Sequence, residues 1–191
     1  MKTSPIETFK EWYKEELLKT EVRIPTAVCL STHGTDEFPN ARFVSLKEII
    51  NDAFIITGPL NSLKGVEIAK DNHVALTFWW TETERQIRVQ GTARKIPETL
   101  ADKYFYSRDL NSKIVSSICE QGKEIKDAKL LEKEMQKWVS RKERVDRPKD
   151  WGGFSIDPVR IEFMEFKATR FHDRKLFELE NGKWMGKQLQ P

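Results

Sequence analysis

The run ARFVSLKEIINDAFIIT, residues 41–57, sets two β-prone segments, Ala41 to Ile50 and Ala53 to Thr57, on either side of Asn51-Asp52. Asparagine and aspartate tolerate the left-handed backbone of a tight turn and hydrogen-bond their own main chain, so the pair predicts an antiparallel hairpin. Outward from it, Ala27 to Ser31, Val74 to Trp80 and Arg85 to Ile96 have the same texture, and Gly34 to Asn40 adds a second turn segment. Short runs joined by turns predict a sheet or barrel built from hairpins rather than from helical crossovers. A short helix, Ser62 to Lys70, interrupts the series.

Toward the N-terminus, Ser4-Pro5-Ile6-Glu7 has the form of a capping box, with proline at the first helical position. Ile6, Phe9, Tyr13 and Leu17 recur at helical spacing behind it, predicting a docking helix over about residues 4–20. Beyond Ile96 the pattern predicts helices over Pro97 to Ser107, Ser112 to Gln121 and Ala128 to Lys142. The last carries an apolar stripe of Leu130, Leu131, Met135, Trp138 and Val139. Strands resume after Arg147-Pro148 and Trp151-Gly152-Gly153: Phe154 to Ile156, Val159 to Lys167 and Arg170 to Leu179. Asn181-Gly182 then turns the chain into Lys183 to Leu189, closing a C-terminal hairpin over about residues 169–191. No repeat or linker divides the sequence, so a single mainly β domain with flanking helices (α+β) is expected over residues 1–191.

The 33 basic and 30 acidic residues leave a net charge of +3, too small a surplus to argue for nucleic acid. No apolar stretch approaches the roughly 20 residues that span a bilayer. Met-Lys-Thr-Ser-Pro leads straight into an amphipathic pattern without an apolar signal core, so a cytoplasmic location is expected. Cys29 and Cys119 lie in unlike contexts and are expected to be reduced. His33, His73 and His172 lack metal-ligand spacing, and no metal is expected.

Basic residues that match phosphate geometry cluster in three places. Arg42 and Lys47 lie five apart on one predicted strand, so alternation points them to opposite faces. Tyr104-Phe105-Tyr106-Ser107-Arg108, followed by Ser112, offers a phenol, a guanidinium and a hydroxyl near a helix junction. Ser112 could cap the second helix, whose N-terminus would attract an anion; a capped helix with a solvated arginine is the plainer alternative. In Thr169 to Arg174, alternation places Arg170, His172 and Arg174 on one face of a strand, either as a proton-handling group or as a surface ion ladder with Asp173.

Taken in order, Arg42-Phe43-Val44-Ser45-Leu46-Lys47, Glu84-Arg85-Gln86, Tyr104 to Arg108, Trp151-Gly152-Gly153-Phe154, Ile161-Glu162-Phe163 and Arg170-Phe171-His172-Asp173-Arg174 resemble the pyridoxamine 5'-phosphate oxidase family from about Thr26 to Pro191. The resemblance implies an FMN-binding split β-barrel that forms a homodimer, with FMN at the subunit interface. It implies that Arg42 and Lys64 hold the FMN phosphate, that Val44, Thr57, Gln86, Gln121 and Arg174 contact the flavin or its ribityl chain, and that Lys47 also borders the cofactor. Lys47, Tyr104, Arg108 and Ser112 match the substrate-phosphate positions, and Arg170 and His172 the pair over the substrate ring, with Arg170 the residue most tied to turnover. The implied reaction is oxidation of a phosphorylated B6 vitamer by dioxygen. A phenazine-type oxidase acting on another ring, and a non-catalytic FMN or pyridoxal phosphate carrier, are the alternatives.

Three positions depart from the family pattern. Leu63 stands where an arginine is usual beside Lys64, Met164 where a tryptophan is usual, and Gly122 where a serine is common; the Thr57 to Ser62 loop is one residue longer. The departures fall on the cofactor side, so weakened FMN retention is expected with the substrate set intact.

Overall fold

The structure, a computed structural model, describes residues 4–141 and 143–191. Its elements run α1 (Pro5–Lys19), β1 (Ala27–His33), β2 (Pro39–Ile50), β3 (Ala53–Pro59), α2 (Leu63–Lys70), β4 (His73–Trp80), β5 (Arg85–Lys95), α3 (Glu98–Tyr106), α4 (Leu110–Ile118), α5 (Ala128–Arg141), β6 (Trp151–Glu165), β7 (Asp173–Glu180) and β8 (Lys183–Leu189). The strands form one antiparallel sheet in the order β3-β2-β1-β4-β5-β6-β7-β8. It closes on itself where β3 pairs with β6 from Phe54↔Ile156 to Pro59↔Trp151, giving a six-strand barrel from which the β7–β8 hairpin extends.

Both expected hairpins form as their turn residues dictate. Asn51 and Asp52 take φ of 48° and 66°, and Asn181 and Gly182 take 49° and 75°, the left-handed values that match the twist of paired strands. Ser4 caps α1 by accepting from the Ile6 amide at 3.3 Å, but Glu7 pairs with Lys10 at 2.7 Å instead of completing the box. Phe9, fully buried, meets Phe54 and Phe78 at ring distances of 4.9 Å and so seats α1 on the barrel core. Buried Glu16 accepts from the Thr83 amide at 3.0 Å and hydroxyl at 2.8 Å, tying the helix to the β4–β5 turn.

A second apolar cluster lies under α3 and α4, built on Ile55, Phe105, Ile114 and Trp151. Of the stripe expected on α5, Met135 and Trp138 pack against this cluster, whereas Leu130 is exposed. Lys142, where that helix was expected to end, lies outside the described residues. No helix among the described residues is long and apolar enough to cross a membrane. Cys29 and Cys119 are free and half-buried.

The break expected around Asp157-Pro158 is absent, since β6 runs unbroken through it. β3 pairs with β6 only as far as Ile156 and β7 only from Arg160, so Pro158 falls where β6 has no second neighbour and its missing N–H costs no ladder bond. The register against β5 shifts there, which leaves Val159 as a bulge.

Candidate active site

A cavity of about 360 Å³ opens between β2, the end of β3, the start of α2, and α4. Its walls include Val44, Lys47, Thr57, Lys64, Arg108 and Gln121, brought together from positions spread over nearly eighty residues of sequence. Lys47 shares the strand parity of Phe43 and Ser45, which line the cavity with it, and is the extra residue of a β-bulge where β2 slips against β3 between Leu46 and Glu48, resetting the alternation beyond it. Arg42 keeps the core-facing parity of Val44 and Leu46 and stays out of the cavity wall.

The three cations in the wall have no carboxylate partner within ion-pair distance among the described residues. Lys64 is nearly buried and donates to Ser62 Oγ at 2.9 Å and Gln121 Oε1 at 2.7 Å. Burial, and then the charge of Arg42, bring its ammonium down to about 8. Burial followed by the Arg108 guanidinium also lowers Lys47. Burial lowers Arg108, with Asp109 working the other way. Arg108 donates to Ser116 Oγ at 2.8 Å and lies 5.0 Å over the Trp151 ring. Ser62 stands at the N-cap of α2 without capping it, because its hydroxyl donates to the Pro59 carbonyl. The first α2 amides therefore have no side-chain cap. Together with nearly buried Lys64, half-buried Arg108 and the more exposed Lys47, none of which has a carboxylate partner among the described residues, they suit an anion.

Several predicted residues have other duties. Arg42 pairs with fully buried Glu67 at 2.7 Å and also donates to Thr32. Burial alone would raise the Glu67 carboxyl, but hydrogen bonds from Thr32, Asn40 and Arg42 hold it below the usual range. Tyr104 is buried and donates its hydroxyl to Glu48. The expected cap at Ser112 is displaced: α4 begins at Leu110, and Asp109 caps it by accepting from the Ser112 amide at 2.8 Å.

Gln86, Met164 and Arg174 stand abreast across β5, β6 and β7 and do not line this cavity. Arg174 is held by buried Glu162, at 2.8 Å through Nη2 and 3.1 Å through Nε, and Glu162 also takes Arg88. The strand expected to start at Arg170 starts at Asp173. Arg170 instead sits in a turn with φ 66°, its amide donating to the Lys167 carbonyl at 2.9 Å. The one-face alternation of Arg170, His172 and Arg174 is thereby lost. His172 accepts from the Lys167 amide on Nδ1 at 3.0 Å, its ring 4.8 Å from that of Phe166.

Sequence reasoning missed Ser116, Cys119 and Trp151 as cavity walls. Trp151 belongs to the Trp151-Gly152-Gly153-Phe154 motif; Ser116 carries no signal in the sequence, and α4 brings it within 2.8 Å of Arg108. A larger cavity, of about 500 Å³, lies between α1 and the β6–β8 strands, with Trp12, Phe163 and Phe177 in its walls and none of the predicted site residues.

A closed six-strand barrel with flanking helices is the split-barrel architecture. Residues 15–142 match the family model described as pyridoxamine 5'-phosphate oxidase, and residues 151–191 match the pyridoxine 5'-phosphate oxidase C-terminal dimerisation region. A pyridoxine/pyridoxamine 5'-phosphate oxidase of Trichormus variabilis is 37% identical over 99% of this chain and 89% of its own length. One from Leptospira interrogans is 36% identical over 92% and 83%. The crystal structure of PhzG from Burkholderia lata 383, in complex with tetrahydrophenazine-1-carboxylic acid, superposes with a TM-score of 0.93 at 26% identity, covering 98% of this chain and 93% of that one. A pyridoxamine 5'-phosphate oxidase-related, FMN binding protein from Nostoc punctiforme, covered in full by this chain at 14% identity and a TM-score of 0.81, shares the fold. The chain belongs to the pyridoxamine 5'-phosphate oxidase family and is an oxidoreductase.

Proposed function

We propose that this chain oxidises pyridoxamine 5'-phosphate or pyridoxine 5'-phosphate with dioxygen, yielding pyridoxal 5'-phosphate and hydrogen peroxide, with ammonia released from the amine. It acts in the cytoplasm, as a single-domain protomer of a homodimer with FMN at the interface. The observation that carries this reading is the set of three unpaired cations, Lys47, Lys64 and Arg108, around one cavity. Such a site recognises phosphate, and the reaction needs two phosphates, one on cofactor and one on substrate.

The donor set fits FMN. Lys64 and the uncapped start of α2 suit its phosphate, while Thr57, Gln121 and the backbone around Val44 suit the ribityl chain and the ring edge. When bound, FMN would supply the two-electron acceptor chemistry that the oxidation requires. Lys47 and Arg108 grip the substrate phosphate, and Arg170 and His172 orient the pyridine ring. Gln86 and Arg174 lie outside this cavity, which favours their delivery by the second subunit. The match to a dimerisation region supports that arrangement.

The likeness to the Burkholderia protein raises a second reading, oxidation of an unphosphorylated ring. Such a substrate has no use for Lys47 beside Arg108. The test adds FMN to the purified protein, supplies either phosphorylated vitamer, and follows aldehyde and peroxide, with Arg170→Ala as control. Both products together, lost in the control, support the proposal. Bound flavin without turnover redirects it to another ring, and no flavin binding favours a carrier.

A further inference from the structure

We infer that Ser116 is a specificity-determining residue of the cavity: its hydroxyl accepts from Arg108, setting the guanidinium, and gives its own proton to the phosphate that Arg108 receives. The inference rests on the assignment of Arg108 to the substrate phosphate.

Three observations converge on it. Ser116 and Arg108 line the same cavity, and Arg108 Nη1 donates to Ser116 Oγ at 2.8 Å. Buried Trp151 lies 5.0 Å from the guanidinium and packs edge-on against Phe105, with 5.1 Å between ring centroids, so Arg108 rests on a fixed apolar wall. Helical serines commonly spend their proton on a carbonyl of the preceding turn, as Ser117 does on Lys113 at 3.0 Å and Ser140 on Lys137 at 2.8 Å. The Ser116 hydroxyl makes no such bond and has no acceptor for its proton among the described residues.

A hydroxyl carries one proton and two lone pairs, so accepting from Arg108 leaves the Ser116 proton free. A phosphate dianion offers only acceptors and can take it; an unphosphorylated ring leaves it unused. An arginine stem has several rotatable bonds, and a guanidinium stacked on Trp151 and held at Nη1 loses less freedom when the phosphate arrives. Ser116 also stands one turn beyond Ser112 on α4, so the two hydroxyls share a helix face and the expected phosphate set extends along it.

The test titrates FMN-saturated protein with inorganic phosphate, and separately with pyridoxal 5'-phosphate and pyridoxal, by calorimetry. It compares the wild type with Ser116→Ala, Ser116→Thr, Arg108→Lys and the Ser116→Ala/Arg108→Lys pair. Ser116→Ala is expected to bind phosphate and pyridoxal 5'-phosphate about tenfold more weakly, the worth of one hydrogen bond to a charged group. Ser116→Thr keeps the hydroxyl and should stay within about twofold of the wild type. Once Arg108→Lys has removed the guanidinium, deleting the hydroxyl should cost only about threefold more, because the group it orients is gone. Pyridoxal binding should stay level throughout. Alanine is the better helix former, so Ser116→Ala should not lower Tm, which separates lost affinity from unfolding. Phosphate bound by Ser116→Ala as tightly as by the wild type overturns the inference. So does an equal loss for pyridoxal, a loss in Ser116→Thr as large as in Ser116→Ala, or absence of phosphate binding in the wild type. Vitamer oxidation is scored separately: turnover with no loss of phosphate affinity in Ser116→Ala sinks the inference and leaves the function standing. The expected phosphate pattern without turnover does the opposite.

Discussion

Replacing Lys64 with methionine should stabilise the ligand-free protein while nearly abolishing FMN retention. Lys64 is 8% exposed and has no carboxylate partner, and its ammonium is brought from 10.5 to about 8. At about 1.4 kcal/mol per unit, keeping that charge in the ligand-free fold costs about 3 kcal/mol below pH 8. Lys64→Met removes the cost but also loses the bonds to Ser62 and Gln121, worth about 1 kcal/mol each, so a net gain of about 1 kcal/mol remains. For a chain of this size that is a rise in Tm of about 2–4 °C. The sign of the pH dependence follows from the same shift. Between pH 8 and 10.5 the unfolded chain binds the Lys64 proton and the folded chain does not, so wild-type stability relative to Lys64→Met climbs by about 3 kcal/mol across that window. A bound phosphate reverses the energetics by pairing the ammonium, so FMN affinity should fall as pH rises through 8. Losing that partner should weaken FMN by about 2–5 kcal/mol. Thermal unfolding with and without FMN, and quenching of flavin fluorescence, measure both. A ligand-free Tm that drops by several degrees in Lys64→Met, or an unchanged FMN affinity, would refute the reasoning.

Leu63→Arg, placing a guanidinium at the first residue of α2 where Leu63 is exposed, should tighten FMN about tenfold by the same fluorescence titration. Glu67→Ala should cost about 3–5 kcal/mol, because Arg42 would stay half-buried without its carboxylate; calorimetry should find Tm lower by about 10 °C. Gly122 has φ +87°, so Gly122→Ser should cost about 1 kcal/mol of stability, a Tm loss of about 2–4 °C, without tightening FMN.

What was legible in the sequence divides along a physical line. Asn51-Asp52 and Asn181-Gly182 announce themselves because turn chemistry is local, and the two hairpins they join place four of the eight strands, β2 with β3 and β7 with β8. The Lys47 bulge has no local signature, since it arises from how β2 must slip to pair with β3; alternation sets Lys47 apart from Arg42, and the cavity wall takes Lys47 and not Arg42. Pro158 misled in the opposite direction: its penalty vanishes because two different strands leave β6 unflanked at that point, a fact of topology alone. Arg170 was read as strand because its neighbours alternate, yet the chain needs a left-handed turn there to bring β6 back as β7. Motif resemblance supplied the names of the site residues. Only tertiary structure shows that Arg42, Tyr104 and Arg174 each already hold a carboxylate partner.

That division of charge separates two kinds of contribution to the proposed site. Glu67 neutralises Arg42, whereas Glu162 is shared by Arg88 and Arg174 and leaves that trio with one net positive charge, so among these arginines Arg42 is the one that offers directed hydrogen bonds without net attraction. Lys64, and to a lesser degree half-buried Arg108, keep their charge without a carboxylate partner among the described residues at a cost in stability, which on the proposed function an arriving phosphate recovers. The proposed function thus places affinity for phosphorylated ligands in one cavity of one protomer. The residues expected to set flavin and ring orientation, Gln86, Arg174, Arg170 and His172, sit on strands and turns outside that cavity. Binding and orientation are built on separate parts of the chain. On the proposed function, a single protomer captures phosphate and a second copy completes the geometry for oxidation.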